Sequence, residues 1–487
     1  MSIFDNVFVV VYFVAMIACG IILRGRQESA EDYFAGGGLL GGRISRIMVG
    51  LSIAATYFSG ISFIAIPSIA IANGTKIFLI LAVFPVSWVV VEGFFLRRYL
   101  AFPGLHPYGI VAARLGPRVR QAISALFVLL RLGWMAALLY APTILILTTM
   151  RLGNHWFWPV VLSIGVSSTV YTVLGGLRGV IVTDAIQMII IMVGLVFVVV
   201  LVLVRIPFDP SLWLAKLSAS GSFTTPSLSL SLTEQFTVWG ILVGMSVSNL
   251  ASSMADQISL QRFLATGSYE SARKSFRYSL AGSAITVALL VAIGLLVTLY
   301  YSFNPDPILP KATDQIFPHF VASALPSGLR GLIVAAILAA TMSSVTSGIN
   351  ALAGCLTIDF IRPTRRGLSE RSTLTLGRWA SLGVGLGATL LAGMISDMGT
   401  IFNISQTVLG VFMGPILAIV TIAAANVGRV SETRCLWAIA VGCLVGMAVA
   451  FSTAQSVWIT VSGLAATLVL GFPLPGGTIR PREQSGR

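Results

Sequence analysis

Charge is scarce in this chain. Asp, Glu, Lys and Arg make up 10% of its 487 residues, against roughly 25% in an ordinary soluble domain, so most of the chain cannot face water. Acids are the scarcer sign, 17 against 31 Lys and Arg, and there are only three histidines and four cysteines. His106, His155 and His319 form no H-E-x-x-H or comparable ligand spacing. Cys19, Cys355, Cys435 and Cys443 show no C-x-x-C spacing and lie inside or at the ends of apolar segments. They read as small buried residues, not as disulfides or metal ligands. No hydrolase or redox motif is present, and an enzyme is not expected. The run Gly36 to Gly42 follows no strand, so it reads as a flexible turn and not a phosphate loop.

What the chain has in abundance is apolar sequence: 56% hydrophobic residues and a mean hydropathy of +0.93. Stretches of about 20 apolar residues, each long enough to cross a bilayer core of roughly 30 Å, recur along its length. Thirteen candidates are expected at 7–23, 47–73, 77–98, 121–150, 156–175, 181–204, 237–256, 279–301, 329–355, 379–396, 401–425, 435–452 and 456–472. The first carries Asp5 in place of a basic n-region and has no cleavage site, so it reads as a retained span.

The net charge of +14 would fit a nucleic-acid partner only if it were clustered. Instead the basic residues sit in short loops. With the N-terminus outside and the C-terminus in the cytoplasm, twenty-four fall in cytoplasmic loops and six outside, leaving Arg131 within a span. That asymmetry is the positive-inside rule. A multi-pass protein of a plasma or inner membrane is expected. The two longest external connections, 205–236 and 302–328, have room for short helices.

Polar groups at membrane depth are costly and mark candidate sites. Three clusters stand out. In the second span, Ser59-Gly60 interrupts an apolar run that continues to Pro67, which would unwind the helix and free carbonyls for a cation. Close packing of small residues is the alternative. In the ninth span, Ser343, Ser344, Thr346 and Ser347 crowd hydroxyls into little more than one turn, an oxygen-rich patch suited to a hard cation such as Na⁺. Bonds back to the helix carbonyls are the alternative. In the sixth span, Asp184 follows Val-Ile-Val, giving either an ion or gating carboxylate or a helix N-cap. Of the other acids, Glu92 is expected to pair with Arg97 or Arg98, and Asp256 and Asp397 to be solvated near helix ends.

With Ala30-Glu-Asp-Tyr-Phe-Ala-Gly-Gly-Gly38, Gly175 to Gln187, Asp256-Gln257 to Gln261-Arg262 and Ala340 to Ser347 in hand, the chain resembles the sodium/solute symporter family from about residue 5 to 470. That family includes sialic acid, galactose, proline, iodide, vitamin and monocarboxylate transporters. The resemblance implies an all-α polytopic fold whose core is an inverted five-helix repeat with broken helices. The expected division is an extra helix and first loop at 1–46, repeats at 47–206 and 207–428, and two further helices and a tail at 429–487.

By the same resemblance, a first sodium ion would lie among the carbonyls of Ala55, Phe58 and Ala340 and the hydroxyls of Ser343 and Ser344. A second would lie among Asp184, Ser343, Thr346 and Ser347. Tyr57, Ser59, Ser62, Trp134 and Gln406 match pocket positions. Sialic acid transporters carry an arginine near the position of Trp134; here Arg131 stands three residues earlier. Ile66-Pro-Ser68 and Tyr140-Ala-Pro142 look more like the iodide, vitamin and monocarboxylate branch. The function implied is symport of one or two Na⁺ with a small organic solute, such as sialic acid or a monocarboxylate. No protein partner or nucleic acid is expected, only solute, sodium and membrane lipid. The alternatives are proton coupling through Asp184 and a channel or sensor built on the same fold.

Overall fold

The computed structural model describes residues 3–23, 27–36, 42–102, 106–150, 152–365, 367–394, 401–426 and 430–472. Their regular structure is all helical, as an apolar chain in lipid requires, because only a helix satisfies every backbone N–H and C=O within one segment. Thirteen of the helices carry the argument. They are α1 (Ile3–Ile22), α2 (Arg43–Tyr57), α3 (Gly60–Asn73), α4 (Pro117–Met150), α5 (Phe157–Arg205), α6 (Ser246–Met254), α7 (Gln257–Ala265), α8 (Tyr269–Phe303), α9 (Leu329–Gly354), α10 (Glu370–Met394), α11 (Ile401–Ala425), α12 (Glu432–Ala450) and α13 (Val457–Gly471). Eight helices among the described residues are long and apolar enough to cross a membrane. One of these stretches, Asn154–Arg205, runs 52 residues and turns inside α5 at Gly176 (φ 55°, ψ −159°). A side chain there would also meet the Tyr33 ring and carbonyl.

Two spans are broken. Between α2 and α3, Phe58 and Ser59 are extended. Between α6 and α7, Asp256 is extended at the joint. The loops 205–236 and 302–328 each hold one helix, Pro210–Ala219 and Thr313–Ser323.

The hydroxyl-rich helix α9 lies at the centre. Apolar or small on every side, it is 94% buried over its hydrophobic window, the pattern of a helix enclosed all round. It packs chiefly on α5, and also on α1, α4 and α2. Helix α8 runs along both α2 and α3, spanning the break like a strut, while α12 and α13 pack on α11 at the periphery. Small residues set the spacing where lipid gives no hydrophobic drive. Thr389 of α10 fills the space over Gly165 of α5, and Thr169 of α5 fills the space over Gly385.

Three expectations about charges change. Glu92 pairs with Arg277 of α8, through Nε at 2.9 Å, and not with Arg97 or Arg98. Residues five and six positions on do not share its helix face, and Arg98 bonds the Phe94 carbonyl instead. Asp256 is buried, not solvated. Arg262, counted above among cytoplasmic loop cations, lies inside α7 and is fully enclosed. Asp397 and Gly37 to Gly41 lie outside the described residues.

Candidate functional site

The break in the second span is built from serines. Ser59 caps α3, and its own N–H donates to Ser62 Oγ at 3.3 Å instead of continuing the helix to Ala55. Gly60 is required at the first position of α3, because a side chain there would collide with Thr341 of α9 and Pro142 of α4. The freed carbonyls point at α9. Ser343 Oγ donates to Ala55 O at 3.2 Å and to Ala340 O at 3.1 Å. Ser344 Oγ donates to Phe58 O and to Ala340 O, each at 3.2 Å. Three carbonyls and two hydroxyls thus converge in a buried cage spanning two elements. All five groups expected for a first sodium are in it, a neutral, all-oxygen set that suits a hard monovalent cation.

Asp184 is not a helix cap. It sits two turns past the bend at Gly176, fully buried. Its Oδ2 accepts from Ser52 Oγ of α2 at 2.8 Å, from Arg262 Nη2 at 2.7 Å and from Ser347 Oγ at 3.2 Å. Arg262 also donates to Ser52 Oγ (2.7 Å), Ser347 Oγ (2.6 Å) and Ile258 O (3.0 Å). Of the four residues expected for a second sodium, Asp184 and Ser347 touch. Ser343 belongs to the neighbouring cage, and the Thr346 hydroxyl turns back to Met342 O and Ser343 O of its own helix. Asp184 Oδ1 is buried and has no hydrogen-bond partner among the described residues.

Beside the cage lies a cavity of about 280 Å³. Tyr57, Ser59, Ser62, Arg131 and Trp134 all line it, as expected of a solute pocket, and so does Ser344. Tyr57 is held by a 2.7 Å hydrogen bond between its hydroxyl and Ser253 Oγ of α6. Ile61, Ala65, Ile66 and Ile69 of α3 and Leu409 and Met413 of α11 add apolar lining. Gln406 is on α11, but its side chain lies outside the described set.

Sequence reasoning missed the partners more than the sites. Asp256 caps the short helix α7 and Arg262 lies within it, and each neutralises a charge buried in another span: Arg262 meets Asp184, and Asp256 meets Arg131. The signal was available. Arg131 and Asp184 are lone opposite charges within long apolar runs, and a buried charge needs a counter-charge.

A family model described as the sodium:solute symporter family matches residues 33–442. The sodium/sialic acid symporter of Proteus mirabilis strain HI4320 is 28% identical over 416 residues, covering 83% of this chain and 81% of its own. The human sodium-coupled monocarboxylate transporter 1 is 28% identical over 463 residues, 93% of this chain and 71% of its own. The solved substrate-bound, outward-open Na⁺-coupled sialic acid symporter superposes with a TM-score of 0.88 at 24% identity, covering 96% of this chain and 97% of its own. That likeness establishes the inverted-repeat transporter fold.

Proposed function

The chain belongs to the sodium:solute symporter family, and from that footing we propose that it carries a small organic carboxylate inward with one or two sodium ions. It is a membrane transporter and not an enzyme, coupling Na⁺ to an organic solute by alternating access. The observation that carries the finer reading is the position of Ser344. Its hydroxyl closes the oxygen cage on Phe58 O, and the same residue lines the cavity. A cation in the cage would align both Ser344 and the Phe58-Ser59 break, so the cavity wall takes its bound shape only when sodium is present. Coupling then needs no long pathway.

Sialic acid and monocarboxylates are the candidate solutes, supported by the relatives' named substrates and by Arg131 in the cavity wall. The first sodium takes Ala55, Phe58, Ala340, Ser343 and Ser344. A second sits against Asp184 and Ser347, with Ser343 and Thr346 turning their oxygens toward it. The partnerless Asp184 Oδ1 supports this, because a sealed carboxylate oxygen without a donor is costly unless a cation meets it. We keep thirteen spans, repeats at 47–206 and 207–428, and an external N-terminus, on the distribution of basic loops.

Uptake of labelled sialic acid and of pyruvate into proteoliposomes tests the reading. Uptake is expected in Na⁺ and is expected to stay low with choline under the same pH gradient. Full uptake without sodium, driven by a proton gradient, would overturn it.

A further inference from the structure

The cavity wall holds one carboxylate and one guanidinium, Asp256 and Arg131, and they are paired with each other. Asp256 serves two elements at once. Its Oδ1 caps α7 by accepting the Ile258 N–H at 2.9 Å, and its Oδ2 meets Arg131 Nη2 of α4. One side chain therefore ties α4 to the joint between α6 and α7. The Tyr108 hydroxyl, bonded to Ala255 O at 2.7 Å, fastens the same joint. The guanidinium is incompletely used: Arg131 Nε is buried and has no hydrogen-bond partner among the described residues. Such a donor is costly to leave unmade, and an arginine fork can hold a carboxylate by either edge.

We propose that Asp256 is a resident stand-in for the solute's carboxylate. An incoming carboxylate takes the free edge of Arg131, competes with Asp256 for the guanidinium, and so loosens the α6–α7 joint. Solute binding and release of α7 become one event. The inference rests on the reading of the cavity as the solute site. The charges support the order of events. Arg131 and Asp256 sum to zero, so an anion gains little from the cavity alone. A sodium ion in the adjoining cage, one residue away at Ser344, offsets the second negative charge. Asp256 thereby favours a carboxylate that arrives after sodium.

A natural reporter sits under α7. The Cys355 thiol is fully buried and bonded to Gln257, the first residue of α7, so release of α7 uncovers it. The experiment uses the full chain with Cys19, Cys435 and Cys443 replaced by Ser, and measures maleimide labelling of Cys355 and binding of sialic acid and pyruvate, all in Na⁺. Labelling is expected to be slow without probe and faster with the probe that binds. Asp256→Asn keeps the helix cap and removes the competitor. Labelling should then be fast without probe, and the half-saturating probe concentration should fall about tenfold, the scale of one charge-assisted hydrogen bond. Asp256→Ser, also a good cap, should do the same. Slow labelling in both variants overturns the proposal even if neither probe binds. Arg131→Gln separates the two layers. It should label fast and lose probe binding. Retained binding in Arg131→Gln would overturn the solute-site reading itself, whereas lost binding with unchanged affinity in both Asp256 variants would overturn only the competition.

Discussion

Asp184 and Arg262 pair at 2.7 Å with their side chains 0% and 1% exposed. Together with Ser52 of α2 and Ser347 of α9, which both bond to the pair, they join four elements, α2, α5, α7 and α9. The pair therefore lies where the broken second span, the bent helix α5, the short helix α7 and the hydroxyl-rich helix α9 meet.

Removing one partner leaves the other charge sealed and unpaired, which costs about 3–5 kcal/mol, whereas replacing both with apolar groups is often neutral. Arg262→Met is expected to lower thermal stability sharply. The double variant Arg262→Met with Asp184→Leu should recover most of it while transporting nothing. Equal melting temperatures for the single and double variants would show that the pair does not act as a unit.

Ser343→Ala deletes a hydroxyl that lies between Ala55 O and Ala340 O. Losing one ligand of a bound cation costs about 1–3 kcal/mol, so half-maximal uptake should need roughly tenfold more sodium. Thr460→Val is the control, a buried hydroxyl on the peripheral helix α13 replaced at nearly constant volume. The sodium curves of the two variants, measured side by side, decide the assignment. Identical curves would remove Ser343 from the cage.

Much of this arrangement was legible in the sequence because membranes make polarity expensive. Ser59-Gly60 within an apolar run marked the break, and the crowding of Ser343 to Ser347 marked the helix facing it. What stayed hidden needed three dimensions. Asp256 ends the seventh apolar stretch and Arg262 lies in α7 just beyond it, where a basic residue reads as a loop cation. Only the fold turns α7 inward against α2 and α9. The Thr346 hydroxyl could not be read either, because a threonine on a helix can face its neighbours or bond its own backbone, and here it does the second.

Gly60 tests whether the break needs close approach. A methyl group there would strike Thr341 and Pro142, and overpacking of this kind costs about 1–3 kcal/mol. Gly60→Ala is expected to push α3 away from α9, weakening sodium dependence and solute uptake together. Gly133→Ala has open space around its position and should leave both unchanged. A Gly60→Ala protein with wild-type sodium and solute half-saturation would show that the break tolerates a wider gap.

The number of sodium ions turns on Asp184. If an ion sits against its partnerless Oδ1, the wild-type sodium curve should be sigmoidal with a Hill coefficient above one. Asp184→Asn keeps the shape and the acceptor for Ser52 and Ser347 but removes the one negative charge that faces both Arg262 and the ion. In a low-dielectric interior that charge dominates the affinity. The second ion should then bind far less well, and the Hill coefficient should fall toward one while the Ser343–Ser344 cage still supports some uptake. Stability must be followed in parallel, because Arg262 is left unpaired by the same change. Adding Arg262→Gln to Asp184→Asn relieves that cost without restoring the carboxylate, so a Hill coefficient that stays near one in the double variant ties the lost ion to Asp184. A hyperbolic wild-type curve would mean a single ion. Complete loss of sodium dependence in both variants would instead place Asp184 in support of the first cage.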